Sequence, residues 1–116
     1  LVHQDEQSAR VIDYKTGKKW GNEIAHAQQG LLYAIGTFFR YPQLEFVQTE
    51  FWYLDKGETT RKQYTREQAM QFTAGWHRRA IKMTTATEFD PTPSKDACRW
   101  CSYRKSDPPE CQWGVE

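Results

Sequence analysis

The sequence predicts an α/β (α+β) fold in which a small mixed sheet is flanked by helices. Two runs that are rich in β-branched and aromatic residues, 10–14 and 44–54, are typical of strands. Two longer segments, beginning near residues 22 and 65, carry apolar residues at the spacing of amphipathic helices. A chain of 116 residues can bury one modest core, which indicates a single small domain. A Cys-rich carboxy-terminal tail completes the predicted architecture.

The first predicted element is a β-hairpin at the amino terminus. Residues 1–3 read as the end of a strand, a polar turn follows over 5–8, and residues 10–14 return as the partner strand. Asp5 and Glu6 are acidic, but both fall in the turn, far from the end of the returning strand. We therefore interpret them as solvated turn residues rather than metal ligands.

A helix of about 18 residues is predicted to follow this hairpin. Asn22 is a suitable N-cap, and Glu23 lies favourably at the positive end of the helix dipole. The predicted core face of this helix consists of Ile24, Ala27, Leu31, Ala34, Ile35, Phe38 and Phe39.

A second β-hairpin begins after Tyr41 and Pro42, which end the helix. The strand 44–54 turns at 55–58, and 59–64 pairs back as a more polar edge strand. Arg61 and Lys62 on that strand are better explained as charges that protect the edge than as a DNA clamp, although the two roles are compatible.

Thr65 and Gln68 fit a capping box that opens a second long helix. Its predicted core face consists of Ala69, Phe72, Trp76, Ala80 and Met83. A basic cluster on the same helix indicates a solvated face more than a phosphate track, and consists of His77, Arg78, Arg79 and Lys82.

The last third of the chain differs in character, because Pro91, Pro93, Pro108 and Pro109 interrupt regular structure. We divide the chain into a core of residues 1–87 and a tail of residues 88–116 that is held by something other than secondary structure. Three cysteines are an odd number, which argues against a complete disulfide framework. Such thiols suit a [4Fe–4S] cluster or zinc, each of which usually takes four protein ligands, so a cluster, zinc and free thiols all stay open. The three residues are Cys98, Cys101 and Cys111.

Composition limits the function classes. The formal net charge is only +1, so any nucleic-acid site must be a local patch. No run approaches the roughly 18 apolar residues of a membrane span, and the amino terminus lacks a secretory pattern. A cytoplasmic protein is the expectation.

The end of the first complete strand carries the strongest chemical signal. Asp13 and Lys15 are two residues apart on a strand, so their side chains share one face while Tyr14 turns to the other. A metal-binding carboxylate and a fixed positive charge could then meet one phosphate, as metal-assisted phosphodiester cleavage requires. Gln29 and Tyr33 are four residues apart on the helix and hence adjacent, either as a surface pair or as part of a site.

These residues resemble a known family. The segment Ile12-Asp13-Tyr14-Lys15-Thr16-Gly17-Lys18 is similar to the signature strand of RecB-type nucleases in the PD-(D/E)XK superfamily. The Gln29-Gly30-Leu31-Leu32-Tyr33 segment resembles the Gln-x-x-x-Tyr pattern of RecB-like members. The cysteines resemble those of the iron-sulfur exonucleases, which include AddB and the CRISPR-adaptation nucleases.

The resemblance implies a restriction-endonuclease-like core that hydrolyses DNA with Mg²⁺ or Mn²⁺. Asp13 and the backbone carbonyl of Tyr14 would ligate metal, Lys15 would orient water or stabilise charge, and Gln29 and Tyr33 would support them. The family pattern also has an earlier helix and strand, a second acidic ligand and a fourth cysteine. We expect these to lie upstream or on another chain, with the cluster on Cys98, Cys101 and Cys111.

Three functions from different classes follow. We favour a DNA exonuclease that acts on DNA with single-stranded ends in recombination, repair or phage DNA processing, in a bacterial or phage-encoded protein. The alternatives are a DNA-binding accessory module that has lost catalysis and a structural domain stapled by metal. A restriction-type endonuclease shares the Asp-x-Lys strand but fits the helix and the tail less well.

Overall fold

A computed structural model describes residues 1–17, 19–104 and 111–115 of the chain. Lys18, Pro108 and Pro109, which the sequence analysis cites, lie outside the described residues. The elements are, in order, β1 (Val2–His3), β2 (Ser8–Lys15), α1 (Glu23–Arg40), β3 (Phe46–Tyr53), β4 (Glu58–Thr65), α2 (Arg66–Met70), α3 (Thr73–Thr85), α4 (Lys95–Arg99) and a 3₁₀ turn (Ser102–Arg104).

The sheet has four strands in the order β1-β2-β3-β4. β1 runs antiparallel to β2, β2 runs parallel to β3 through the crossover helix α1, and β4 returns antiparallel to β3. The predicted small mixed sheet with flanking helices is therefore confirmed. The chain divides into two compact units, residues 1–80 and 81–116.

The core of the first unit lies between α1 and one face of the sheet. Ala9 on β2, Val47 on β3 and Tyr64 on β4 point to this face, as the strand register requires. α1 covers them with Ala34, Ile35 and Phe38, while Leu44 and Ala69 close one side. The same face of β2 continues beyond the core to Asp13 and Lys15, so core packing also orients the candidate site.

The amino-terminal hairpin is confirmed, since Val2 pairs with Arg10 and His3 with Ala9. Asp5 lies in its turn, where the Asp5 carboxylate accepts a hydrogen bond from the backbone N–H of Gln7 at 2.8 Å. Hydrogen bonds, first from Ser8 and then from Gln7, lower the pKa of Asp5. Asp5 and Glu6 are exposed and stand at the end of β2 remote from Asp13, which agrees with their interpretation as turn residues.

Helix α1 has the predicted length of 18 residues, but its first turns differ from the prediction. Asn22 occupies the N-cap position without a side-chain capping hydrogen bond. Instead, Glu23 accepts a hydrogen bond from the backbone N–H of Gly21 at 2.8 Å. Ile24, Ala27 and Phe39 are exposed, so the predicted core face was too wide.

The second hairpin has strands of eight residues each, and β4 is the edge strand as predicted. Its turn includes Gly57 with a φ of 64°, a conformation that suits glycine. Thr65 and Gln68 form the predicted capping box. The guanidinium of Arg66 then donates to four backbone carbonyls at 2.6–3.2 Å and thereby fixes the loop between α1 and β3; the acceptors belong to Phe38, Tyr41, Pro42 and Leu44.

One prediction about the second helix was wrong. The helix that begins at Arg66 ends at Met70, and a separate helix starts at Thr73. Of the predicted core face, only Ala69 and the half-buried Trp76 pack on the core, where Met70 joins them. Phe72, Ala80 and Met83 are exposed. The basic residues His77, Arg78, Arg79 and Lys82 are also exposed, as expected of a solvated face.

The second unit contains more secondary structure than the sequence predicted. Ser94 caps the short helix α4 by accepting a hydrogen bond from the backbone N–H of Ala97 at 3.0 Å. This N-cap signal follows Pro93 directly, and the proline-based prediction of an irregular tail overlooked it.

Candidate active site

The candidate site begins with two side chains at the carboxyl end of β2. Asp13 and Lys15 share the face of the sheet that α1 covers, because residues two apart on a strand point the same way. The Lys15 Nζ lies 3.1 Å from the Asp13 Oδ1, and both side chains are about four-fifths buried, with exposures of 20% and 17%. The charges are thus held together in a partly desolvated position.

Helix α1 completes a closed ring of four side chains. The Lys15 ammonium donates to the Gln29 Oε1 at 2.7 Å, and the Gln29 Nε2 donates to the Tyr33 hydroxyl at 2.7 Å. Tyr33 in turn donates to the Asp13 Oδ2 at 2.6 Å. The hydrogen bond to the Asp13 carboxylate is the main reason why the pKa of Tyr33 is raised, with burial adding to it. Tyr33 therefore remains a proton donor at neutral pH.

Gly30 allows α1 to come close enough for this ring to form. A Cβ at residue 30 would lie 3.0 Å from the Thr49 Oγ1 and 3.1 Å from the Phe51 Cε2. Phe51 is 5% exposed, and its ring centroid lies 5.3 Å from the Lys15 Nζ. The Phe51 ring thus supports the lysine from below while the glycine lets the helix approach it.

Tyr14 points to the opposite face of the sheet, as its place between Asp13 and Lys15 predicts. Its side chain is 65% exposed and packs edge-on against Trp52 at 5.7 Å. The Lys15 carbonyl accepts a hydrogen bond from the Leu54 N–H at 3.0 Å, on the β3 side. Because carbonyls alternate in direction along a strand, that of Tyr14 points to the other edge of β2. No described strand pairs with β2 there beyond Arg10.

The comparisons with known proteins agree with this arrangement. A family model described as the PD-(D/E)XK nuclease superfamily matches residues 1–106. The chain belongs to the PD-(D/E)XK nuclease superfamily. The mixed four-stranded sheet with flanking helices is consistent with the fold of that superfamily. Neither the curated proteins nor the solved structures gave a match.

Membership in the superfamily indicates metal-dependent nuclease activity, with DNA as the expected substrate, and such nucleases generally use Mg²⁺ or Mn²⁺. Asp13 and the Tyr14 carbonyl offer the hard oxygen ligands that these ions prefer. Mg²⁺ is commonly held by one or two carboxylates together with water and substrate phosphates, so the donors fit. Within the described residues, however, no three His, Cys, Asp or Glu side chains are grouped to hold a metal.

Glu50 is a buried carboxylate that the sequence analysis missed, and it is not part of this donor set. It neighbours Ile12 across the β2–β3 pair, so it lies on the face opposite Asp13. Burial alone would raise the pKa of Glu50, but hydrogen bonds from Trp52 and Gln48, each 2.6 Å, lower it, and nearby guanidinium groups add to this effect. The guanidinium groups are those of Arg61, at 3.4 Å, and Arg10, at 3.5 Å. Arg61 is thus engaged on the sheet face away from the site.

A second group that sequence reasoning missed lies beside the ring. The His26 Nδ1 is 2.8 Å from the Tyr53 hydroxyl, and the His26 ring stacks on Phe51 at 5.5 Å. Lys19 forms an ion pair with Glu58 at 2.8 Å. The signal for His26 was its position one turn before Gln29 on the same helix, which places it on the sheet-facing side.

The three cysteines lie in the second unit. Cys98 is buried, Cys101 and Cys111 are half-buried, and all three are free thiols. The Cys101 N–H donates to the Cys98 carbonyl at 3.1 Å, which brings the C-x2-C backbone into a turn. In the described part of this unit the structure does not group the thiols as a metal site. The relationship to iron-sulfur exonucleases stays a prediction.

No helix in the described part of the chain is long and apolar enough to cross a membrane.

Proposed function

We propose that this chain is a RecB-like DNA exonuclease that hydrolyses phosphodiester bonds with Mg²⁺ or Mn²⁺. The observation that carries the proposal is the closed ring of hydrogen bonds through Asp13, Lys15, Gln29 and Tyr33. Two residues from a strand and two from a helix 14 or more positions later converge on one point. A Gln-Tyr surface pair, the simpler interpretation of the helix motif, would not need to meet the Asp-x-Lys pair.

In this proposal Asp13 and the Tyr14 carbonyl would hold the divalent ion, which would supply an activated water and neutralise phosphate charge. The Lys15 ammonium orients the attacking water or stabilises the charge that develops on the phosphate. Its Nζ is fixed by Asp13 on one side and by Gln29 on the other, so its direction is set before substrate arrives.

Gln29 and Tyr33 are positioning residues. Gln29 uses its carbonyl oxygen for Lys15 and its amide for Tyr33, so its orientation is fixed at both ends. The Tyr33 hydroxyl holds the Asp13 Oδ2 and leaves further lone pairs on that carboxylate for a cation. These hydrogen bonds restrict the rotation of the Lys15 and Asp13 side chains. Hydrogen bonds that orient metal-binding residues in this way raise metal affinity and reaction rate.

The proposal is tested by degradation of DNA labelled at one end, in single- and double-stranded form, with Mg²⁺ or Mn²⁺ and with an EDTA control. The Lys15→Met variant removes the charge but keeps the length of the chain. Lys56→Met is the matched control, because Lys56 is exposed in the β3–β4 turn. Covalently closed circular DNA of the same sequence separates cleavage from ends from internal cleavage.

We expect metal-dependent release of label from linear DNA, unchanged in Lys56→Met and lowered at least 100-fold in Lys15→Met, and no cleavage of the circle. Cleavage of the circle would replace the exonuclease with an endonuclease. Binding of DNA without cleavage by the unsubstituted chain would instead favour the accessory module, since Asp13 is the single carboxylate of the donor set described above.

The cofactor proposal for the tail has its own measurement. We propose that Cys98, Cys101 and Cys111 contribute to a [4Fe–4S] cluster or a zinc site, with a fourth ligand from elsewhere. Iron and zinc analysis of protein purified without oxygen, compared with the Cys98→Ser variant, distinguishes the two metals. If the unsubstituted chain and Cys98→Ser both contain almost no iron and almost no zinc, the three cysteines are free thiols and the cofactor proposal is wrong.

A further inference from the structure

A cavity of about 190 Å³ opens beside the ring, between α1 and the strands β3 and β4. We call it the side cavity; its lining includes His26, Gly30, Phe51, Tyr53, Lys62 and Tyr64. Sites that enclose whole drug-sized ligands occupy roughly 300–1,000 Å³, so the side cavity suits one small planar group. Four of its twelve lining residues carry aromatic rings, which favour stacking partners.

Charged residues of both signs line the side cavity. Lys19 and Lys62 line it together with one carboxylate, Glu23, whereas the guanidinium of Arg61, another lining residue, is engaged on the opposite face of the sheet. Lys19 is paired with Glu58 and Arg61 with Glu50. Among the described residues Lys62 has no ion-pair partner; its Nζ lies 5.3 Å from the centroid of the Tyr64 ring. An ammonium group without a carboxylate, beside an aromatic wall, is suited to a phosphate next to a planar base.

The side cavity and the candidate active site share the side chain of Phe51. The Phe51 ring supports Lys15 at 5.3 Å and stacks on His26, so one side chain belongs to both. Lys62 opposes Thr49, and Thr49 opposes Val11, two residues before Asp13. Neighbouring strands are about 4.8 Å apart, which places the Lys62 backbone about 10 Å from that of Val11. A DNA strand bound at Asp13 would therefore have its adjoining nucleotide within reach of Lys62.

We propose that the side cavity binds one unpaired nucleotide of single-stranded nucleic acid next to the scissile phosphate. The base enters between the aromatic walls, and the Lys62 ammonium contacts the phosphate of that nucleotide. This proposal rests on the proposed nuclease function for its biological meaning. It assigns to Lys62 a phosphate contact in place of the edge-protecting role that the sequence favoured.

The first test uses the unsubstituted chain in EDTA, so that no cleavage occurs. Thymidine 5′-monophosphate, thymidine and inorganic phosphate are each titrated while backbone amide signals are followed by NMR. We expect the nucleotide to shift the amides of His26, Gly30 and Lys62, with weaker shifts from thymidine and from phosphate. Shifts from inorganic phosphate that equal those from the nucleotide would overturn the assignment of a base to the cavity.

The second test compares matched variants in binding to a fluorescent oligothymidylate, also in EDTA. Lys62→Met should lower the slope of log K against log salt by about 0.7, while Lys56→Met should leave it unchanged. Ala27 is exposed and lines the side cavity, whereas Ala25 is exposed and does not. Ala27→Leu should therefore weaken binding about fivefold or more, and Ala25→Leu should not.

These outcomes are separate from those of the cleavage assay. Equal affinity and salt slope in Lys62→Met and Ala27→Leu relative to their controls would overturn the side-cavity proposal even if Lys15→Met abolishes cleavage. Loss of binding confined to the two cavity variants would support it even if the unsubstituted chain fails to cleave. Thermal unfolding of each variant verifies that the substitution has not unfolded the chain.

Discussion

Replacing Gly30 with alanine tests whether the close approach of α1 to β3 assembles the site. The added Cβ would lie 3.0 Å from the Thr49 Oγ1 and 3.1 Å from the Phe51 Cε2, whereas relaxed contacts between carbon atoms are about 3.5–4.0 Å. Relief requires α1 and β3 to separate by about 0.5 Å. Thr49 and Phe51 are both at most 5% exposed, so neither side chain can simply rotate into solvent.

Two opposing terms determine the stability of Gly30→Ala. Alanine in a helix interior gains about 1 kcal/mol over glycine, while overpacking a core typically costs about 1–3 kcal/mol. Gly36 on the same helix is exposed, and a Cβ there would have no atom within 4 Å. Gly36→Ala should thus gain about 1 kcal/mol with no loss. The difference between the two variants isolates the packing cost, because the propensity term is shared.

The geometry of the ring converts this displacement into a functional effect. The hydrogen bond from Lys15 to Gln29 is 2.7 Å, and a separation of about 0.5 Å would stretch it to the long end of the usual range. We expect about a tenfold loss of DNA cleavage in Gly30→Ala and none in Gly36→Ala. Urea unfolding and the end-label assay measure the two effects. If Gly30→Ala is as stable and as active as Gly36→Ala, the close approach of α1 to β3 at Gly30 is not what assembles the site.

Three further predictions concern side chains whose environments are well defined. Glu50→Gln should destabilise the fold by about 2 kcal/mol at neutral pH, because an oxygen that accepts the hydrogen bond of Trp52 or Gln48 is replaced by an amide donor. The greater stability of the wild type should disappear as the pH falls below 4.5 and Glu50 is protonated. Urea unfolding of both proteins at several pH values would measure this difference. Arg66→Lys should lower the free energy of unfolding by about 1–3 kcal/mol, since an ammonium cannot reach the four carbonyls that the guanidinium contacts. A thermal unfolding curve with the same steepness and midpoint temperature as that of the wild type would contradict this prediction. Tyr33→Phe should reduce cleavage and lessen the loss of stability that the wild type shows as the pH rises above 10.0, because the raised pKa of Tyr33 favours the folded state only below that range. The pKa of Tyr64, which burial raises, leaves a smaller loss of the same sign in the variant.

The ring could be predicted from the sequence because its parts obey local periodicities. Spacing of two on β2 and of four on α1 fixes which side chains share a face before any tertiary contact is known. The meeting of the two faces followed from the family resemblance, which the match over residues 1–106 supports at the level of the superfamily. The hydrogen-bond order within the ring, in which Gln29 lies between Lys15 and Tyr33, required the structure.

The failures come from features that periodicity cannot express. Ile24 and Phe39 were assigned to the core face of α1 by their spacing, but both are exposed, because at 100° per residue they lie well round the helix from the buried Ala34. The break between α2 and α3 carries neither proline nor glycine at Gln71 or Phe72, and so gave no local signal. Glu50 was overlooked because its ion pairs come from neighbouring strands, and strand register sets them.

The contacts of Asp13 suggest how the site would respond to a metal ion. Its Oδ1 is held by Lys15 and its Oδ2 by Tyr33, yet a carboxylate has about four lone-pair sites, so each oxygen retains one for a cation. A divalent ion held by Asp13 would repel the Lys15 ammonium, and the Gln29 Oε1 would remain as a partner for that ammonium. In the proposed mechanism the ring therefore does more than orient a carboxylate. Gln29 provides a second partner for the Lys15 charge, and Gln29→Leu should weaken metal-dependent cleavage more than it weakens metal-free DNA binding.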